Sequence, residues 1–332
     1  MTRGSDGSGG DDAGPDAAGL DRPGLEGVGL DGSDDDFGGD DGLDEETVLT
    51  IQQVSRLLMV PAPTIRSWER RYDIGTADRS VGGHRRYSSD TVRSIRQMRD
   101  DIAQGHRPVE AAARIKVAQT VTADPLVDRF LEAVRRLDPT AIEAVLEDSQ
   151  RVLGLDRSID EILLPSLREL GRWWEAGTCD IAHEHLASEV TRAWLARVPQ
   201  HLASRGQDRP IVLSCGPRDF HTIGLEAIGA LFRQRGWECL LLGARTPAAA
   251  LCMAVTESNA AALVMVSHLA TARRSTIEAL REVAQLPVKV FYAGNAFPTR
   301  QARQGVPGSY LGTNLSQAAE FVTTAIARDY KD

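Results

Sequence analysis

Apolar positions along the chain fall into successive textures. From Leu49 they recur at helical spacing: Ile51, Val54, Leu57 and Leu58 in "TIQQVSRLLMV", with Thr50 placed to cap the first turn. "PAPTIRSWERRY" restarts a helix, Pro63 being tolerated in its first turn. Two short helices joined by a tight turn predict a helix-turn-helix. "DRSVGGHRRYS" follows, a Gly-Gly turn between basic residues, and predicts a β-hairpin wing. Two further helices are expected over 89–104 and 108–117. Residues 124–203 alternate apolar and charged residues at helical spacing, as in "FLEAVRRL" and "IDEILLPSLRELGRWW", which predicts a bundle of about four helices. "ASRGQDRP" reads as a linker.

From Ile211 nearly all-apolar runs ("IVLSC", "ECLLLG", "ALVMVSH", "VKVFYAG" and a short one near "SYLG") alternate with helical segments at 223–235, 247–257, 272–284 and 315–328. That alternation predicts a parallel, doubly wound sheet. Ligands on such sheets bind at the carboxyl ends of the strands. His221, Ser267 and Gly294 each fall just after a strand, so one rim is expected to carry all three. The expected fold class is therefore multidomain α and α/β: a winged helix-turn-helix (47–120), a four-helix bundle (121–205) and a doubly wound parallel-sheet domain (209–330), preceded by residues 1–46.

Charge sharpens this division. The net charge of −9 conceals a segregation, because residues 1–46 hold fifteen acidic and two basic residues. This Gly/Asp-rich segment cannot bury a core and is expected to be a disordered, solvated tail; a mimic of DNA charge competing for the basic module is the alternative. Residues 47–116 hold thirteen basic and seven acidic residues, a candidate nucleic-acid module. No apolar run approaches 18 residues, no signal-peptide pattern opens the chain, and the four cysteines are widely spaced. A reduced cytoplasmic protein is expected.

The chemistry is concentrated in three places. Arg66, Arg70 and Arg71 share a helical spacing that can meet a major groove, and Arg85 and Arg86 on the wing can hold phosphates. Trp68, Tyr72, His84 and Tyr87 in the same stretches complete the candidate DNA-binding set. In "DFHTIGL", Asp219 lies close enough to His221 to accept a hydrogen bond from the far ring nitrogen, the usual support of a metal-bound imidazole. Gly224, without a side chain, lets a bulky group approach, and Ser267, Leu269 and Gly294 supply the neighbouring rim positions. In the bundle, "RWWEAGTCDIAHEHLAS" holds Trp173, Trp174, Glu175, Glu184 and His185. Plain core aromatics, or a zinc site from Cys179, His183 and His185, are the competing readings of this stretch. No Gly-rich phosphate loop or Ser/His/Asp set is visible, and no enzymatic activity is expected.

The ordered set of helix-turn-helix, "RSWERRY" and "GGHRRYS" resembles the MerR family of transcription regulators, over about residues 48–117. That resemblance implies a dimerising protein that distorts promoter DNA. The cysteines of the metal-sensing MerR branch are missing, so metal-ion sensing is not expected. The set Asp-x-His-x-x-Gly, Ser-x-Leu and a glycine turn resembles the cobalamin-binding domain of methionine synthase and corrinoid proteins, over about residues 209–328. It implies that His221 is the lower cobalt ligand and that the nucleotide tail lies beside Ser267 and Gly294. Ala293-Gly294 stands where that family often has Gly-Gly. The order of all three domains, with Trp174 and Glu184-His185, is similar to the CarH/LitR class of light-sensing repressors. That class implies adenosylcobalamin capped by Trp174, Glu184 and His185, and a DNA-binding homo-oligomer, tetrameric in the dark, that dissociates on illumination. Light-sensing members carry a histidine where this chain has Glu175, which keeps open a cobalamin-responsive regulator without light sensing. A corrinoid methyl carrier is the remaining alternative, against which the basic module stands.

Overall fold

The computed structural model describes residues 49–79, 85–120, 123–199 and 209–329. Helices α1 (Ile51–Leu58) and α2 (Ala62–Tyr72) form the helix-turn-helix. Thr50 caps α1 as the sequence predicts, its hydroxyl accepting from the Gln53 amide while the Gln53 side chain accepts from the Thr50 amide. Strands β1 (Asp78–Arg79) and β2 (Arg85–Arg86) pair antiparallel as the wing. The expected Gly-Gly turn, with His84, lies outside the described residues. Helices α3 (Ser89–Ala103) and α4 (Pro108–Thr120) complete this domain, around a core of Val54, Ile65, Trp68, Tyr87, Ile95 and Met98.

The bundle holds α5 (Asp124–Arg135), α6 (Pro139–Leu153), a long segment of three parts, and α9 (Ile181–Ala196). The long segment is α7 (Leu155–Arg157), a π-helical stretch Ser158–Leu163, and α8 (Leu164–Glu175). Asp138 caps α6 ahead of Pro139, and Asp180 caps α9.

The third domain alternates β3 (Ile211–Cys215), α10 (Ile223–Gln234), β4 (Cys239–Gly243), α11 (Ala248–Glu257), β5 (Ala262–Val266), α12 (Arg273–Val283), β6 (Lys289–Ala293), α13 (Arg300–Arg303), β7 (Ser309–Tyr310) and α14 (Leu315–Asp329). The five strands are all parallel, in the order β4-β3-β5-β6-β7. The apolar runs of β3 and β5 are buried throughout, as both faces of the sheet are covered. β4 departs from that expectation: it is an edge strand, and Leu240 and Leu241 are exposed.

One sheet face packs with α10 and α14 into a core that continues through Phe130, Ile142, Leu163 and Trp194 of the bundle. The other face packs under α11 and α12. The bundle is thus joined to the sheet domain by apolar burial, the dominant favourable term in such packing. Arg192 of α9 reinforces the join, reaching Glu226 and Thr222 at the start of α10. No helix among the described residues is long and apolar enough to cross a membrane.

Candidate cobalamin site and DNA-reading face

The rim of the sheet is organised by one carboxylate. Gly216 follows β3 where a Cβ would lie 2.2 Å from the Thr276 hydroxyl, so the chain leaves the strand hard against α12. The turn brings Asp219 to a fully buried position. Its Oδ1 accepts from the His221 amide at 2.9 Å and from His221 Nδ1 at 2.7 Å. Its Oδ2 accepts from the Ser267 hydroxyl at 3.3 Å, the Leu269 amide at 3.2 Å, and the His268 amide. Burial by itself raises a carboxyl pKa, but the His221 ring and the amides of His221 and His268 outweigh it. They hold Asp219 well below the usual carboxylate range. An anionic carboxylate only accepts, so the His221 ring donates from Nδ1, and its neutral form keeps the lone pair on Nε2.

His221 Nε2 is buried and has no hydrogen-bond partner. A buried polar atom without a partner is costly unless something completes it. A Cβ on Gly224 would meet only His268 Nε2 within 4 Å, at 3.9 Å, so the start of α10 approaches the second histidine rather than the first. The imidazole and its tautomer, with the unpartnered nitrogen, fit a metal-centred ligand that needs one more nitrogen donor, and a corrinoid is such a ligand.

The structure brings Asp219, His221, Ser267 and Leu269 onto one rim, with Gly294 behind Ser267. The glycine is explained differently from the sequence expectation. Gly294 has φ +106°, and a Cβ there would lie 2.1 Å from the Ser267 carbonyl oxygen. The backbone it admits is that of Ser267, bonded on either side to Ala293 and Ala296. Ser267 itself is fully buried, and its hydroxyl supports Asp219.

One rim residue was missed by sequence reasoning. His268 packs edge-on against His221, with ring centroids 5.5 Å apart. Burial pushes its pKa down to about 4, with Asp219 pulling it partly back. The histidine is plain in "VSHLAT", but only the fold sets it beside the first.

Within the bundle the two tryptophans separate. Trp173 packs against the core, donates from Nε1 to Glu169 at 2.8 Å, and has the Arg135 guanidinium 4.2 Å above its ring. Trp174 next to it is half-buried and has none of these contacts. Glu184 is buried, accepts from Ser188 at 2.9 Å, and lies 3.4 Å from the exposed His185; Glu175 is exposed. His183 Nδ1 accepts from the Asp180 amide in the capping box of α9. The zinc reading of this stretch fails: among the described residues no three His, Cys, Asp or Glu side chains could hold a metal ion. All four cysteines are free.

Comparison with known proteins divides the chain at the same joints. Residues 49–113 match the MerR HTH family regulatory protein, and 126–198 and 209–320 each match a B12 binding domain. The HTH-type transcriptional repressor CarA of Myxococcus xanthus is 34% identical over 252 residues, spanning 73% of this chain and 85% of the relative. The chain belongs to the CarA and CarH family of MerR-type regulators with B12-binding domains. CarH of the same organism is 29% identical over 276 residues, covering 77% of this chain and 92% of the relative. A looser likeness, of TM-score 0.48 and 12% identity, joins 61% of the chain to the whole of the monomethylamine corrinoid protein of Methanosarcina barkeri.

Of the nine residues that the sequence offers for a DNA-reading face, the structure leaves fewer at the surface. Arg66, Arg70 and Arg71 are exposed along α2. Arg85 is exposed on the wing and pairs with Glu69 of α2 at 3.2 Å, while Arg86 beside it is half-buried. Trp68 and Tyr87 are not part of this face. Trp68 is 8% exposed and Tyr87 is fully buried, both in the domain core, and half-buried Tyr72 packs against that core. Trp68 lies three residues after the buried Ile65, on the inward stripe of α2. Tyr87 is held in place by backbone pairing with Leu49.

Proposed function

We propose that the chain is a cytoplasmic, DNA-binding transcription repressor that holds adenosylcobalamin between the bundle and the sheet and senses light through it. The observation that carries this reading is His221 Nε2, buried, unpartnered and fixed as a lone-pair donor by the anionic Asp219. His221 would hold the cobalt from below, with Asp219, Ser267 and Leu269 holding His221 and its loop. Trp174, with Glu184 and His185, would cap the upper face. Adenosylcobalamin, when bound, supplies a photolabile cobalt–carbon bond. The chain contributes two arrangements of bundle against sheet, whose populations follow the state of the site. Arg66, Arg70, Arg71, Arg85 and Arg86 would contact the operator. A homo-oligomer, a tetramer in darkness, would present several such faces to a multi-site operator with high avidity, and lose that avidity on dissociation.

The test is an absorbance spectrum of the purified chain with adenosylcobalamin, before and after green light, with size exclusion on each sample. The expected result is retained corrinoid absorbance after desalting and a light-dependent change in both spectrum and elution volume. Loss of the corrinoid on desalting overturns the reading. His221→Ala removes the unsatisfied Nε2 but also one donor to the buried Asp219, so it is compared with wild type at matched folded fraction by its thermal melt; it is expected to change the bound spectrum, and an unchanged spectrum in the folded variant contradicts the ligand role.

Glu175 favours a second reading, a cobalamin-responsive repressor indifferent to light. A carboxylate stands where light-sensing relatives have an imidazole, and it is a harder partner for cobalt. Equal operator binding in darkness and after illumination, with a difference between loaded and cobalamin-free chain, selects this second reading.

A further inference from the structure

Four charged side chains from three domains meet in a buried cluster away from the rim. Arg96 comes from α3 of the winged domain, Asp156 from α7 of the bundle, and Arg235 and Glu320 from the end of α10 and the middle of α14. Arg96 reaches Asp156 at 3.5 Å with one guanidinium nitrogen and Glu320 with the other. Arg235 reaches Asp156 at 2.5 Å and Glu320 at 3.8 Å. The side chains of Arg96, Asp156 and Arg235 are 4%, 7% and 5% exposed. The two arginines hold the Asp156 carboxyl down to about 2 against the opposing effect of burial. A polar cavity of about 290 Å³, lined by Arg93, Asp100, Arg114 and Arg151 among others, adjoins the cluster.

The position of this cluster gives it meaning. The three-part helical segment from Leu155 to Glu175 carries Asp156 in its first turn and Trp174 in its last. The helix that closes at Arg235 opens two residues after His221, about 18 Å away. Both walls of the candidate site, the cap and the lower-ligand loop, therefore run back to one cluster. The winged domain already rides on the bundle: Arg114 donates to the Arg151 carbonyl, and Ala118 packs with Leu153 and Ile162. Arg96 adds a grip on Glu320, and so on the sheet domain as well. A shift of bundle against sheet must stretch one of its two contacts, and an unpaired buried charge is strongly disfavoured.

We propose that Arg96, clamped between Asp156 and Glu320, is the positioning residue that passes the state of the cobalamin site to the DNA-reading domain. This rests on the cobalamin reading above. The test uses the full chain loaded with adenosylcobalamin, in darkness and after green light, and an operator fragment captured from genomic DNA by the wild-type chain. Two readouts are taken: the dark-to-lit ratio of operator affinity, and amide hydrogen exchange over residues 89–103. In wild type both respond to light. In Arg96→Met the affinity ratio is expected to fall by about tenfold or more toward one, and the exchange response to vanish, while corrinoid absorbance and a cooperative melt are retained. Glu320→Gln, which keeps the volume and removes the charge that Arg96 and Arg235 share on the sheet side, is expected to act in the same direction and decides the matter if Arg96→Met does not fold. A ratio and an exchange response within about twofold of wild type in a folded, loaded variant overturn the joint but leave the cobalamin reading intact. A wild-type chain that loads corrinoid but shows neither response overturns the joint and the light reading together. Failure of wild type to load corrinoid overturns the cobalamin reading itself.

Discussion

The reading face on α2 and the wing and the rim at the strand ends are both made of polar side chains, but they are built in opposite ways. The face sets exposed arginines on a helix whose inner stripe, Ile65 and Trp68, is fixed by core packing. Each arginine is solvated, makes few contacts, and contributes little to stability. The rim gathers five donors on the fully buried Asp219, where each bond holds the others in place. A surface of independent charges loses affinity in small steps as residues are removed. A buried network loses its structure with the first member that goes.

The largest effect expected from that contrast is at Asp219. Asp219→Ala strands the His221 ring, the Ser267 hydroxyl and the amides of His268 and Leu269, and should destabilise the chain by about 3–5 kcal/mol. Urea unfolding checks it; a cost below about 1 kcal/mol would mean that the rim is no network. Acid should act next. The folded pKa of His268, about 4, lies below its ordinary 6.5, so the fold favours the neutral ring. Its contribution is complete above pH 6.5 and is lost as pH falls toward 4. Denaturation midpoints should therefore drop between pH 7 and pH 4.5, and His268→Gln should flatten that drop; an equal drop in the variant removes His268 from the account.

The smaller effects belong to the winged domain. The Tyr87 hydroxyl is buried without a partner, so Tyr87→Phe should change stability by less than about 1 kcal/mol and leave operator affinity unchanged. Weakened operator binding would return Tyr87 to the DNA face. Arg66→Ala should leave stability within about 0.5 kcal/mol. It should weaken operator binding and reduce the slope of log affinity against log salt by about one. An unchanged slope would place the phosphate contact elsewhere.

The same contrast explains what the sequence made legible. The parallel sheet was readable because buried strands must be apolar on both faces, and the helices because one stripe of each must be. His221 and Asp219 were readable as a pair because their partnership is local, two residues apart. The role of Trp68 was misassigned although its signal was present: the i, i+3 relation to Ile65 puts it on the inward stripe. Gly294 was singled out for the approach of a ligand, whereas the backbone it admits in the structure comes from residue 267, which the linear sequence does not reveal. His268, and the Arg96, Asp156, Arg235 and Glu320 cluster, were invisible for the same reason. Each stands on its own helix or loop as an ordinary polar residue, and only tertiary folding makes them neighbours. The edge position of β4 likewise depends on strand order, which apolar runs alone do not encode.

The apolar core that runs unbroken from Phe130 and Trp194 through to the strands has a bearing on how such regulators can be recombined. A chimera that took its bundle from one relative and its sheet domain from another would have to match two halves of a single interior, methyl for methyl. The winged arm, most of whose interior is its own, is the part more readily exchanged, provided that what replaces Ala118 still packs on Leu153 and Ile162 and what replaces Arg96 still finds an acid on each side.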